Sequence, residues 1–384
     1  MTKLMGLGSG NNKLVTNYKE LYLSASSNTG NLLFNYALEQ LIELSGTDVR
    51  WSTPAEKINQ MGESLLIPMA NNIGRHMDLE KSGPKIKDVE VPVVVMGLGA
   101  QFPLDADFEQ AFNLIPDSSK TWLETLCSKS NQANVSVRGK LTHRVFEKLG
   151  LGHKAVPLGC PSHFLSNNKN LGQLLQEKSK SLLQNGIENK IGITAGNPAI
   201  ANLVKLEQFL ISQINNFGGM YIVQHPKDLI CLAENWLADL TEDEINMVQE
   251  RFFPNASSSQ MHQWFRSHAH TYVSIPQWFR DISKTDFVTG TRIHGCQIAL
   301  QAGVPAVCLH IDSRTKELCE TMQIPTIPAR DFQKAPSMDQ LLELVATWDW
   351  EQYDANRMDL AKKTRQFVED NGLSPSSHFQ SLVS

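Results

Sequence analysis

Short apolar runs recur along the chain, each followed by a glycine-rich or polar turn and then by apolar residues at helical spacing. The clearest run is 91–101, Val-Pro-Val-Val-Val-Met-Gly-Leu-Gly-Ala-Gln, which is continuous and β-branched, the pattern of a strand covered on both faces of a parallel sheet. Further strands are predicted at 22–25, at 63–69 with Asn71, Asn72 and Gly74 after it, and at 133–139, while the run at 155–161 closes the first half. In the second half strands are predicted at 190–194, 220–223, 270–275, 286–289, 304–309 and 324–328. The helical period places helices at 32–44, around 108–114 and 122–130, at 140–149 and at 171–183. Others run from the loop 195–198 to 215, over 241–267, briefly after 275, from 293, at 338–348 and, last, at 351–370, which Asn371-Gly372 ends. Thr241 and Glu244 stand at the spacing of a capping box.

This alternation predicts an α/β fold of two doubly wound, Rossmann-like domains facing a cleft. Turn-forming residues collect at Asn185-Gly186, giving an N-terminal α/β domain over 1–185 and a C-terminal one over 186–348. Residues 349–384 are expected to form a C-terminal helix that packs back on the first domain. A length of 384 residues fits that division.

Composition narrows the class. Charged residues make up 20% and the net charge is −5, so a soluble globular protein is expected, with no nucleic-acid partner. The longest apolar run, 91–100, is far short of the roughly 20 residues of a membrane span. No apolar segment with a cleavage site follows the first methionine, and the expected location is the cytoplasm. Six scattered cysteines without a C-x-x-C motif read as buried free thiols. Gly6-Leu-Gly-Ser-Gly10 lacks a preceding strand and reads as a flexible tail rather than a phosphate loop. His268 and His270 share a strand face with no carboxylate suitably spaced, so no metal is expected.

Candidate chemistry gathers where strands end. In Thr289-Gly-Thr-Arg-Ile-His-Gly295 a strand turns into a helix, whose unpaired amides and dipole favour an anion beside Gly290, Thr291 and Arg292. His294 follows as a proton carrier at neutral pH. Asp312, Ser313 and Arg314 end the next strand on the same edge. Arg138 closes the run at 133–139 just before a helix and is poised like Arg292. Gly99 and Gln101 end the central strand of the first half, and Gln224 and His225 end one in the second. Asn28, Thr29, Gly30 and Asn31 form either a ligand loop or a plain helix cap. Trp264, Trp278 and Phe279 serve equally as sugar-stacking rings or as core.

These residues carry a resemblance. The stretch DFVTGTRIHGCQIALQAGVPAVCLHIDSRTKEL from Asp286, with NTGNLLFNYAL, VMGLGAQ, VSVRG and LGCPS earlier, resembles the polysaccharide pyruvyl transferase family. The resemblance implies the two-domain architecture of B-type (GT-B) glycosyltransferases. It also implies transfer of a pyruvyl group from phosphoenolpyruvate, a donor substrate rather than a cofactor, to two hydroxyls of a glycan sugar, as a cyclic ketal. The acceptor would be a sugar, a lipid-linked precursor or a polysaccharide. Arg138 and Arg292 would then hold the donor's phosphate and carboxylate, and His294 would be the acid or base. Relatives often carry an acidic residue after the first glycine of the early loop; this chain has Asn31 there, so no carboxylate role carries over. Two other readings keep the cleft: a nucleotide-sugar glycosyltransferase, and a non-catalytic anion- or sugar-binding protein.

Overall fold

The computed structural model of the chain describes residues 2–4, 15–25, 28–44, 49, 51–61 and 63–384. The glycine run at 6–10 lies outside them. Five parallel strands form one sheet in chain order: β1 (Thr2–Leu4), β2 (Ser64–Pro68), β3 (Val93–Leu98), β4 (Val135–Val137) and β5 (Ala155–Pro157). Six more form a second parallel sheet: β6 (Ile191–Thr194), β7 (Gly219–Ile222), β8 (Ala269–His270), β9 (Phe287–Gly290), β10 (Ala306–His310) and β11 (Thr326–Pro328). Its order is β11-β10-β9-β6-β7-β8. The chain therefore builds outward from β6 in one direction, then crosses back to start again at β9. That reversal is the place where open parallel sheets bind ligands.

The apolar run at 93–98 is central in its sheet and buried throughout, as its unbroken hydrophobicity requires. Its alternate residues serve two cores. Val93 and Val95, with Leu65 and Ile67, face outward under the helices Asp117–Ser128 and Lys140–Lys148. Val94 and Met96, with Leu66, face inward. There the helix Gly30–Leu41 inserts Leu33, Phe34, Ala37 and Leu38, and the same apolar cluster continues into the second sheet through Ile193, Val288 and Ile298. The two halves thus share one core instead of meeting only at a solvated seam.

Polar links tie the same interface. Glu317 accepts hydrogen bonds from the Thr142 amide at 2.6 Å and the Thr142 hydroxyl at 2.9 Å, so a carboxylate of the second half caps a helix of the first. The Phe102 amide donates to the Ser313 hydroxyl at 2.9 Å, and Arg330 pairs with Asp105. The helix Leu171–Asn185 packs chiefly on Met338–Thr347 and Trp350–Asp370, and so belongs to the second sheet's outer layer.

Three expectations change. Residues 22–25 are not a strand but the end of a helix, Tyr18–Ala25: Leu21 and Ala25 are buried while Tyr22 and Leu23 are 53% and 69% exposed, a helical and not an alternating pattern. The edge strand of the first sheet is Thr2–Leu4 instead. The run at 270–275 pairs only through His270, because Ser274 caps a helix, Ile275–Ile282, with Pro276 in its first turn. After Asn371-Gly372 a further helix, Ser377–Val383, packs on Gly30–Leu41.

Arg357 is fully buried and donates to three carbonyls of the segment joining the halves: His163 at 3.1 Å, Asn168 at 2.8 Å, and Ser166. Replacing it strands three buried acceptors. Arg357→Leu is expected to destabilise the fold by about 3–5 kcal/mol in urea unfolding, whereas Arg365→Ala, which removes an exposed pair with Glu369, should change it little.

Candidate active site

The reversal between β6 and β9 sets the site. Gly290 ends β9 with φ +136, and a Cβ there would lie 2.4 Å from the carbonyl oxygen of Thr194, so only glycine lets β9 leave the sheet this close to β6. Arg292 then occupies the cap position of the helix Ile293–Gln301. Its amide donates to the Thr194 hydroxyl at 3.1 Å, and its Nε donates to the Ala195 carbonyl at 3.1 Å. Nη2 reaches the carbonyls of Gly196 and His225 at 3.4 Å each. Carbonyl dipoles orient this guanidinium without neutralising it. Glu207, a carboxylate whose charge acts on it, is itself occupied by the Tyr221 hydroxyl at 2.6 Å and the Gly196 amide at 3.0 Å.

Arg138 arrives from the other sheet, just after β4. It is 2% exposed, and its Nε donates to the Gly97 carbonyl at 2.9 Å, with bare Gly99 making room for its side chain. Burial, reinforced by Arg314, brings its pKa down to about 10, which still leaves it charged at neutral pH. Arg292 is held at about 10 in the same way. Arg314 joins the two: its charge acts on Arg138, Arg292, His294 and His225 alike. Its only ion-pair partner among the described residues is Asp312 at 3.3 Å, and its Nε is buried without a hydrogen bond.

His294 stands among these charges. Burial first, then Arg138 and Arg314, push its pKa down to about 3, so the protein's own groups keep the imidazole neutral. Its Nε2 lies 3.9 Å from the Cys160 thiol, and its Nδ1 faces Gly30 so closely that a Cβ there would sit 2.8 Å away. Gly30 is fixed by Asn28, whose side-chain oxygen accepts from the Gly30 amide at 2.9 Å, and by the Thr29 amide, which donates to the Gln224 carbonyl at 3.1 Å. The early asparagine loop is therefore brought to the histidine across the cleft. Gln224 and Thr29 are buried there, each with a side-chain oxygen lacking a partner. His225 touches Arg292 at 3.4 Å, and burial with Arg292 and Arg314 lowers its pKa to about 4.

Other predicted contacts have structural work. Asp312 caps the helix Ser313–Met322, accepting from the Thr315 amide at 2.8 Å, and Ser313 is spent on Phe102. Gln101 accepts from the Asn71 amide. Thr291 is buried beside Gly196. Trp278 stacks on Tyr272 inside the core, and Trp264 packs on Tyr221 and Phe253, so neither is a sugar platform. His268 packs on Trp264 and His270 stacks on Tyr272; among the described residues no cluster of three His, Cys, Asp or Glu is arranged to hold a metal. All six cysteines are free and buried. Sequence reading missed Trp51 and Asn35, which line the site, because an isolated loop tryptophan and one polar residue inside an amphipathic helix carry no pattern.

The fold and site define an α/β protein with two parallel sheets and a cleft lined by buried arginines and a neutral histidine. The chain belongs to the polysaccharide pyruvyl transferase family: the family profile described as "Polysaccharide pyruvyl transferase" matches residues 28–313, from the asparagine loop to the residue after Asp312. No curated protein matches the sequence. Among solved structures the chain is similar to two of the wall teichoic acid polymerase TagF, at 10% identity, with 97% of this chain and 89% or 87% of the other covered and TM-scores of 0.44 and 0.41. Among the described residues no helix is long and apolar enough to cross a membrane.

The neutral histidines make stability depend on pH. His294 and His225 have folded pKa values of about 3 and 4, below the roughly 6.5 of an unfolded histidine, so the unfolded chain binds more protons between those values. Their contribution is present above about pH 6.5 and is lost as pH falls. Raised carboxylates such as Glu207 and Glu317 act in the opposite sense nearer their own range. Scanning calorimetry is expected to show Tm falling most steeply near the middle of that window, at about pH 5, and a smaller fall in the His294→Gln variant.

Proposed function

We propose that the chain moves a pyruvyl group from phosphoenolpyruvate to two hydroxyls of one sugar, giving a cyclic ketal and inorganic phosphate. The observation that carries this reading is the imbalance of charge: Arg138 and Arg314 act on the neutral His294 imidazole, Arg314 acts on Arg292 as well, and among the described residues the one ion pair these arginines make is that of Arg314 with Asp312. Phosphoenolpyruvate carries a phosphate and a carboxylate on adjacent atoms, and planar forks bind both better than point charges do.

On this reading the arginines hold the two anionic groups and His294 moves protons. The donor's negative charge offsets Arg138 and Arg314, so the imidazole's pKa rises when donor binds and a proton becomes available. His294 delivers that proton to the methylene carbon, which becomes a methyl group, and the positive charge settles on the adjacent carbon and its oxygen. The first sugar hydroxyl attacks that carbon and gives its proton back to His294. The carbon–oxygen bond to phosphate then breaks with its electron pair, and the second hydroxyl closes the ketal, its proton leaving with phosphate. The same cationic floor would receive the diphosphate of a nucleotide sugar, and the products released separate the two readings.

Incubation with phosphoenolpyruvate and sugar acceptors is expected to release inorganic phosphate; release of nucleotide from a nucleotide sugar, with none from phosphoenolpyruvate, overturns the proposal. His294→Ala should lower turnover by about 10²–10⁴-fold while phosphoenolpyruvate affinity by calorimetry stays within a few-fold. Loss of that affinity in a folded His294→Ala protein would remove the histidine from the proton-transfer role. Arg292→Lys should weaken donor binding by roughly tenfold or more.

A further inference from the structure

A cavity of about 230 Å³ is lined by His294 and Arg138 together with residues of the first half, and Arg292 is not part of its wall. Pockets for drug-sized ligands run from roughly 300 to 1,000 Å³, so this one has the size of a single small ring. Its wall is distinctive in chemistry. The helix Gly30–Leu41 contributes Asn31 and Asn35, the turn after β2 contributes Asn71 and Asn72, and Trp51 closes one side. Among the described residues that line it, none carries a carboxylate and Arg138 is the only fixed cation.

The geometry points to this cavity as the acceptor subsite and to a neutral sugar ring as its occupant. This rests on the pyruvyl-transfer reading and adds which sugars qualify. Carboxamides both donate and accept, which matches hydroxyl groups, and an indole face suits the apolar C–H face of a pyranose. Asn72 is poised to change partners: its oxygen is fixed by the Ala70 amide at 2.7 Å, but among the described residues its amide meets the Met77 thioether at 3.1 Å, a weak acceptor that a sugar hydroxyl outcompetes. Charge selects against other sugars. An amino sugar's ammonium would enter the field of Arg138 and Arg314 with no carboxylate among the described lining residues to meet it. A uronic acid's carboxylate would be drawn to those arginines, where the donor's own anions bind. A neutral ring feels neither pull, and it rests with its hydroxyls toward His294, the group that must take their protons.

The test compares methyl glycosides of neutral hexoses, of N-acetylhexosamine, of glucosamine and of glucuronic acid, by saturation-transfer NMR on the full chain saturated with phosphoenolpyruvate. Neutral glycosides are expected to bind. Trp51→Ala and Asn72→Leu should each weaken that binding by about tenfold or more, with phosphoenolpyruvate affinity unchanged. Because Asn72 also supports its own turn, Asn71→Ala is measured alongside, each variant being checked by its melting curve. Binding only of charged glycosides, no binding of any glycoside, or neutral binding untouched by folded Trp51→Ala and Asn71→Ala overturns the subsite. Failure of the unmodified chain to bind phosphoenolpyruvate at all would instead overturn the donor reading, and calorimetry without sugar reports that separately.

Discussion

Holding several guanidinium groups out of water without neutralising them is the constraint on which this structure depends. Taking one such ion from water costs several kcal/mol, and each hydrogen bond from a charged donor offsets about 1.5–3 kcal/mol of that. Arg138 and Arg292 recover this stabilisation from main-chain carbonyls: Gly97 for one, and Ala195, Gly196 and His225 for the other. A carboxylate partner would hold them as firmly but would cancel the charge a ligand needs. The carbonyls belong to strand ends, so the sheets themselves fix where the positive charge sits.

That requirement explains why the halves are joined so firmly. Arg138 comes from one sheet and Arg292 from the other, and a shift of one sheet against the other would part them. The helix Gly30–Leu41 prevents such a shift by carrying a single apolar cluster across both halves, and it also places Asn28 to Asn31 against His294 and Gln224. Glu317 shows the same economy: it caps the helix that follows Arg138, and its charge also bears on Arg138 itself. Ser313 and Asp312, bonded to the Phe102 and Thr315 amides, help to hold this frame.

Much of this was legible in the chain. Val93–Leu98 announced itself as a central strand because both its faces are covered, and Arg292 and His294 were exposed as a pair by the strand, glycine and helix pattern around them. Arg138 was legible for the same reason. What the pattern hid was tertiary. Asp312 and Ser313 look like ligand contacts until the helix they cap and the Phe102 amide are seen. Tyr18–Ala25 is short and half exposed, so its helical period was too brief to outweigh its β-forming residues. Trp51, Asn71 and Asn72 meet Asn31 and Asn35 only because β2 ends beside the helix that crosses the interface, a proximity that no sequence spacing expresses.

The neutrality of His294 has a consequence for how the proposed reaction is ordered. An imidazole kept near pKa 3 by burial and two arginines is a hydrogen-bond acceptor, and it cannot give a proton to carbon. Only an anion that offsets those arginines raises it into the range of a useful acid, and the proposed donor is such an anion. Donor binding and arming of the catalyst are then one electrostatic event. A sugar arriving first finds a base with nothing to attack, while a donor arriving first finds its proton supplied. On the proposed reaction the acceptor, filling its cavity, would help to keep water from the activated carbon.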